Sequence, residues 1–294
     1  MGERSIIELV EERLENDGIT LPVFHRMAIK IQQIMCREDY GARDIARVIQ
    51  RDQALASYVL KVANSAFYAG LSPVKTITDA TVRLGAKSIA NLVMVATQKQ
   101  AYSSKRKEFR QWMDQLWSHA LSSAVGSRWL AHHLGLNKIA EESFLAGLLH
   151  DIGKLLLLRI IEDLRETQSI HKSITNPVIL DILENMHCQQ GERLMRHQNM
   201  PDVYCQVVAN HHVEDIAPDN VIINLVRLAN LACAKLGVGL KHEPELMLST
   251  TVEAMNLMAN DLLLAELQVK MESHKLSFDR FLESDQDRSN SVPA

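Results

Sequence analysis

The segment FLAGLLHDIGKLLLL, residues 144–158, sets two adjacent polar residues, His150 and Asp151, inside a run that is apolar apart from these two and Lys154. The apolar spacing predicts one helix over this region, from Glu141 to Leu158. Inside such a helix both polar side chains would be buried, and burial of an unpaired carboxylate is costly in free energy. A bound divalent cation offsets that cost, and so does a structural ion pair, so both explanations stay open. Imidazole with carboxylate suits zinc, iron, manganese or nickel better than calcium.

The whole chain has the composition of a helical globular protein. Of its 294 residues 47% are hydrophobic and 23% charged, which is too apolar for a disordered chain. Only 5% are aromatic, with 12 Gly and 7 Pro, which argues against turn-rich sandwiches and barrels. Apolar residues recur at helical spacing from Phe24 to Met35, from Val82 to Val95 and from Trp112 to Val125. We therefore expect an all-α, multi-helix bundle.

Charge and hydropathy exclude several classes of partner. The net charge of −4 provides no basic field for nucleic acid. No apolar run approaches the roughly 20 residues of a membrane span. The first residues are acidic, with Glu8 and Glu11 where a signal peptide is apolar. The four cysteines are far apart and form no disulfide framework. These features predict a protein of the reducing cytoplasm that binds neither nucleic acid nor a membrane.

The same pattern predicts how the chain is organised. We expect five successive parts: an N-terminal amphipathic helix (1–20), an N-terminal helical subdomain (21–105), a helical subdomain with a histidine pocket (106–240), C-terminal helices (241–282) and a flexible tail (283–294). The polar stretch 103–108 marks the main junction, and we interpret its basic residues as a solvated linker. Asn64 and Ser65, at a predicted helix end, are interpreted as caps and not as ligands.

Two familiar site patterns fail when their spacing is checked. Gly147 and Gly153 resemble a P-loop, but five residues separate them instead of four, and Leu155 replaces the hydroxyl residue that would hold magnesium. Cys188, beside His187, could be an activated thiol. We interpret it as an inert, partly buried cysteine, because no other feature indicates thiol chemistry.

Several motifs together resemble a known family. Trp117-Ser-His119-Ala and Leu148-Leu-His150-Asp151-Ile-Gly-Lys154 resemble the HD superfamily of metal-dependent phosphohydrolases. The stretches from Asp52 to Tyr68 and from Ile77 to Gly85 resemble the HDOD (HD-related output) domain, although Gln53 stands where the pattern commonly has Pro. The later block matches at Glu184, His187, Gly191, Leu194, Met200-Pro201 and His211-His212. The resemblance covers about residues 20–240 and implies the helical HD-type fold.

The resemblance also implies a pocket for one or two divalent ions, such as iron, manganese, zinc or nickel. Its implied metal ligands are His119, His150, Asp151, His187, His211, His212 and Asn230. Asp151 would bridge two ions in the bimetallic members, and Lys154 would face a substrate phosphate. If the protein is an enzyme, these two are its catalytic residues. The three later histidines match ligands of the HD-GYP-like members, which hydrolyse cyclic dinucleotides.

Two departures from that pattern bear on function. Asn230 stands where the closing Asp belongs, and an amide oxygen brings no charge to a metal. The segment from Val213 to Pro218 lacks the Gly-Tyr-Pro signature of the phosphodiesterases. The first hypothesis is therefore a non-catalytic regulatory module of bacterial signal transduction, with a degenerate metal or nucleotide pocket and protein partners on the helices between Leu21 and Val95. The second is a metal-dependent phosphohydrolase or phosphodiesterase acting on a nucleotide or cyclic dinucleotide.

Overall fold

A computed structural model describes residues 6–16, 23–37, 39–65, 73–167 and 175–273 of the chain. Throughout these ranges the regular structure is helical and contains no β-strand, which confirms the predicted all-α class. In chain order the α-helices are α1 (Ile6–Asn16), α2 (Arg26–Met35), α3 (Ala42–Ile49), α4 (Gln53–Ala63), α5 (Ile77–Leu84), α6 (Ala86–Ala101), α7 (Lys107–His133), α8 (Ala140–Leu149), α9 (Ile152–Glu166), α10 (Asn176–His197), α11 (Asp202–Asn210), α12 (Val221–Lys235) and α13 (Val252–Asn256). Residues 261–273 are helical as well.

The chain divides into two compact units. The first comprises residues 1–114 and 149–212, and the second comprises residues 115–148 and 213–294. The predicted five-part division stays a prediction, and its tail, 283–294, lies outside the described residues. Each unit has its own core. Ile31, Ile49 and Leu157 are fully buried in the first, as are Leu130 and Leu228 in the second.

Polar side chains fix the helix ends at the N-terminal side of the first unit. The Asp52 carboxylate accepts a hydrogen bond from Leu55 N at 3.0 Å and so caps α4. At the other end of α4, the side-chain amide of Asn64 both donates to Val74 O (2.9 Å) and accepts from Val74 N (2.8 Å). Ser65 Oγ donates to Val62 O at 2.7 Å. The interpretation of Asn64 and Ser65 as structural end residues is confirmed.

The predicted helix from Val82 to Val95 is wrong in its bounds. The structure has two helices there, α5 ending at Leu84 and α6 beginning at Ala86, separated by Gly85. Gly85 has φ +85° and ψ 153°, a conformation that residues with a Cβ rarely adopt. The apolar spacing runs through this position without change, so the pattern alone does not reveal the break.

The predicted single helix from Glu141 to Leu158 is also wrong. Helix α8 ends at Leu149 and α9 begins at Ile152, so His150 and Asp151 lie in the turn between them. Asp151 has φ −100° and ψ 17°, and its carbonyl accepts a hydrogen bond from Lys154 N at 2.9 Å. Its side chain makes no capping hydrogen bond. The carboxylate is therefore directed to other partners within the first unit.

Candidate metal centre

Two glycines allow close contact between three helices of the first unit. A Cβ atom on Gly153 of α9 would lie 1.9 Å from the carbonyl oxygen of His187 in α10. A Cβ atom on Gly191 of α10 would lie 2.7 Å from Cγ1 of Val208 in α11. Any larger residue at Gly153 would collide with backbone, which cannot move aside as a flexible side chain can. These two positions let the polar residues of α9, α10 and α11 meet.

Backbone carbonyls fix the orientation of two of the histidine rings. His187 Nδ1 lies 3.0 Å from the carbonyl oxygen of Glu184, one turn earlier on α10. His211 is the C-cap residue of α11, and its Nδ1 lies 3.1 Å from Val208 O. A carbonyl oxygen only accepts hydrogen bonds, so both Nδ1 atoms donate. Each neutral ring therefore presents the lone pair of Nε2, the arrangement typical of metal-binding histidines.

The two Nε2 atoms and one carboxylate oxygen form a triangle of electron-pair donors. His187 Nε2 and His211 Nε2 are 3.3 Å apart, and they lie 3.4 Å and 3.3 Å from Asp151 Oδ1. A tetrahedral ion with bonds of about 2.0–2.1 Å holds its ligand atoms roughly 3.3 Å apart. The spacing and the chemistry of this donor set therefore fit a divalent transition-metal ion.

When no metal is bound, a proton can occupy the position between His211 and Asp151. Burial opposes protonation of His211, but its hydrogen bonds to Asp151 and Cys188 outweigh burial and raise its pKa to about 9. For His212, desolvation and then the charge of His211 lower the pKa to about 3, so that ring stays neutral. Without a metal ion, the His211–Asp151 contact thus favours the protonated form of the His211 ring.

Cys188 belongs to this cluster, contrary to its interpretation as inert. Its Sγ lies 3.4 Å from His187 Nε2 and 4.0 Å from His211 Nδ1. One ligand atom from each of Cys188, His187, His211 and His212 lies within 4.8 Å of the others. Although burial raises the pKa of the thiol, the neighbouring histidines lower it to about 6. The adjacency of His187 and Cys188 was the only signal for this in the sequence.

A buried ion-pair network covers the other oxygen of Asp151. Lys154 Nζ donates to Asp151 Oδ2 at 2.9 Å and lies 3.6 Å from Glu184 Oε1. Burial lowers the pKa of Lys154, but the two carboxylates outweigh it and the pKa is raised overall. His150, which is fully buried, has its Nε2 3.5 Å from Asp151 Oδ2. The structural ion pair is therefore present at Oδ2, and the bound cation stays a prediction for Oδ1, which faces the nitrogens of His187 and His211. Sequence reasoning had not assigned Glu184 a role.

The remaining two implied ligands, His119 and Asn230, belong to the second unit. His119 is buried on α7, and its Nδ1 lies 3.0 Å from Val238 O, which orients the ring. Gly239, with φ +114°, packs against this ring, since a Cβ there would lie 2.9 Å from His119 Nδ1. Asn230 is half-buried on α12. Their role as ligands stays a prediction from the resemblance.

The fold and the cluster define an all-α protein with a buried histidine–aspartate cluster that can hold a metal ion. The family is shown by sequence: residues 21–214 match the HDOD domain, and the chain belongs to that family. The expected family is therefore confirmed. Among the described helices, none combines the length and apolar character needed to cross a bilayer.

Individual relatives support the fold. An uncharacterised protein of Treponema pallidum (strain Nichols) is 24% identical over 220 residues, which is 72% of this chain and only 42% of that protein. An HDOD domain protein of unknown function from Geobacter sulfurreducens has a TM-score of 0.70 at 21% identity, covering 93% of this chain and 97% of that one. A candidate signal transduction protein from Marinobacter aquaeolei VT8 scores 0.69 at 22% identity, covering 94% and 64%. A candidate metal-dependent phosphohydrolase from Shewanella amazonensis SB2B scores 0.64 at 20% identity, covering 90% and 98%.

Proposed function

We propose that this chain is a regulatory module of bacterial signal transduction whose first unit binds one divalent transition-metal ion without catalysing hydrolysis. Membership of the HDOD family supports the regulatory role, as does the likeness to the Marinobacter protein described as a candidate for signal transduction. The donor triangle of His187, His211 and Asp151 supports the metal.

The proposal depends on the different partners of the two carboxylate oxygens of Asp151. A carboxylate that bridges two metal ions through both of its oxygens offers one oxygen to each. Here Oδ1 faces His187 and His211, whereas Oδ2 accepts a hydrogen bond from the buried ammonium of Lys154 at 2.9 Å. Lys154 thus takes the side of the carboxylate that a second ion would need. This supports one ion and argues against a two-ion hydrolytic centre.

The surroundings of Lys154 point the same way. Its ammonium group is balanced by Asp151 and Glu184, and its side chain is 9% exposed. A positive charge that two carboxylates already compensate attracts a phosphate only weakly. Lys154 is therefore better suited to its ion pairs with Asp151 and Glu184 than to binding a substrate phosphate. A bound ion would add a positive charge where α9, α10 and α11 meet and would stabilise that arrangement by mass action.

Metal content and turnover together test the proposal. The protein is purified without chelators or metal-affinity resin, and its metals are counted by inductively coupled plasma mass spectrometry. Nucleotides and cyclic dinucleotides are then offered with added Mn²⁺ or Fe²⁺. We expect one equivalent of metal and no turnover. Folded protein that takes up no metal would refute the ion site, and turnover that disappears in His187→Ala would refute the regulatory assignment.

Hydrolysis of a nucleotide or cyclic dinucleotide is the second candidate function. It is favoured by the metal-compatible donor set and by the likeness to the Shewanella protein described as a candidate metal-dependent phosphohydrolase. A bound ion would supply Lewis acidity there. Lys154 would have to exchange Asp151 for a substrate phosphate. Two equivalents of metal, with turnover abolished by Lys154→Ala, would identify this function.

The regulatory role requires a protein partner. We place its binding surface on the helices between Leu21 and Val95, because the HDOD motifs lie there, and its compartment in the cytoplasm. Co-purification with a tagged signalling partner should be lost when these helices are disrupted and kept in His187→Ala.

A further inference from the structure

The histidine cluster of the first unit contains a sulfur donor that the HD-type ligand pattern does not include. Cys188 follows His187 directly on α10 and is half-buried. Its Sγ lies 3.4 Å from His187 Nε2, and this sulfur, His187, His211 and His212 each contribute an atom to one group within 4.8 Å. Sulfur is a softer ligand than carboxylate oxygen, so its presence changes which ions the site favours.

The distances match those around a single tetrahedral ion. Bonds of about 2.3 Å to sulfur and about 2.0–2.1 Å to nitrogen place the two ligand atoms roughly 3.5 Å apart. The observed separation from Cys188 Sγ to His187 Nε2 is 3.4 Å, and that between the Nε2 atoms of His187 and His211 is 3.3 Å. His187 Nε2 therefore has the spacing of a shared ligand position towards both the sulfur and the second nitrogen.

The other cysteines of the chain lie in different surroundings. Cys205 Sγ is 3.6 Å from Met200 O, Cys233 Sγ is 3.5 Å from Ser123 Oγ, and Cys36 is exposed. The metal-compatible groups found among the described residues include Cys188 and none of these three. Cys36 therefore serves as a control for the loss of a thiol in general.

We infer that Cys188 is a thiolate ligand of the metal in the first unit, together with His187 and His211, and that the ion is of the thiophilic class of Zn²⁺ or Co²⁺. The inference rests on the metal site of the proposed function. On coordination the S–H bond is replaced by an S–metal bond, and the proton passes to solvent. Such a site prefers Zn²⁺ to Mn²⁺, which favours oxygen ligands.

Cobalt spectroscopy of the 294-residue chain tests this assignment. Metal-free protein is titrated anaerobically with Co²⁺, whose visible d–d bands report tetrahedral binding and whose near-ultraviolet thiolate-to-metal band reports sulfur ligation. Wild type should show both sets of bands, saturating together at one equivalent. Cys188→Ser should lose the near-ultraviolet band and bind Co²⁺ at least about tenfold more weakly. Cys36→Ser should keep both bands and the wild-type affinity.

The outcomes separate the inference from the proposed function. Visible bands in wild type without the near-ultraviolet band would show a metal site that lacks the thiolate, which overturns the inference alone. No Co²⁺ bands at all would overturn the metal site and the inference together. If Cys188→Ser does not fold, X-ray absorption of Zn²⁺-loaded wild type decides: a sulfur shell at about 2.3 Å supports the inference, and a shell of nitrogen and oxygen alone overturns it.

Discussion

His187 Nε2 and His211 Nε2 lie 3.3 Å apart, and each ring is held by an Nδ1 that donates to a backbone carbonyl. Two neutral imidazoles in this orientation direct lone pairs at each other, which is unfavourable unless a proton or a metal ion lies between them. Asp151 Oδ1 adds negative charge 3.3 Å from His211. The backbone of α10 and α11 therefore builds a cation site before any cation binds.

Removal of one of these rings should empty the site. In His211→Ala the ion loses a nitrogen ligand whose orientation the backbone had fixed in advance. We expect metal content after chelator-free purification to fall from about one equivalent to near zero, with helical content retained. His197→Ala, an exposed histidine of α10, should keep the wild-type content. Equal metal in wild type and His211→Ala would locate the ion elsewhere.

Loss of the Lys154 charge should destabilise the metal-free protein. Lys154→Met leaves Asp151 and Glu184 buried or half-buried without their ammonium partner, and breaking a buried pair from one side costs about 3 kcal/mol or more. Urea unfolding in chelator should show this loss, and added Zn²⁺ should recover more stability in the variant than in wild type.

The matched control for that variant is Lys99→Met. Lys99 forms a surface pair with Asp114 at 3.9 Å, and such pairs contribute less than about 1 kcal/mol. A Lys154→Met variant that is no less stable than Lys99→Met would show that Lys154 does not compensate the carboxylates.

A methyl group at Gly153 should force α9 and α10 apart. The new Cβ would overlap His187 O, at 1.9 Å, and backbone cannot relieve such a contact locally. We expect Gly153→Ala to lower the free energy of unfolding by about 3 kcal/mol and to weaken metal binding, because His187 moves with α10. Gly41→Ala, whose Cβ meets its nearest atom at 3.8 Å, should cost less than about 1 kcal/mol. Unchanged metal affinity in Gly153→Ala would contradict the proposal that the close contact of α9 with α10 positions His187 for metal binding.

The stability of the protein should fall in alkali through Tyr102. Burial, and then the charge of Asp151, raise the pKa of Tyr102 well above its usual value, so the fold holds the phenol neutral. In the unfolded chain the phenol ionises at about pH 10, so its contribution is present below that pH and is lost as pH rises towards the folded pKa. Urea unfolding between about pH 9 and 11 should show a shallower decline for Tyr102→Phe than for wild type. Parallel declines in the two proteins would exclude Tyr102 as the cause.

Local pattern predicted the regular helices well and their interruptions poorly. The helical spacing from Phe24 to Met35 corresponds to α2, Arg26–Met35, because apolar spacing is a local signal. The breaks at Gly85 and at His150-Asp151 change a few dihedral angles without changing the apolar spacing. Periodicity is insensitive to such changes.

The histidine cluster was predictable in part. The resemblance pointed to Asp151, His187, His211 and His212, and the structure brings these residues of the first unit together. The resemblance gave no role to Cys188. The distance of its thiol from the histidine of α11 depends on how α10 packs against α11, which the motifs do not describe. The ligand roles of His119 and Asn230 stay predictions.

The sequence by itself determined the all-α class and the HDOD family, since these depend on spacing along the chain and on motifs that can be read in order. Only the tertiary structure decided three further points. It determines that His187 and His211 present Nε2 and not Nδ1, and that Lys154 donates its hydrogen bond to Oδ2 of Asp151. It also places Cys188 beside the histidines. Each of these depends on distances of 3–4 Å between groups on different helices or turns. Such distances follow from helix packing at Gly153 and Gly191, where the absence of a side chain sets how closely the backbones approach.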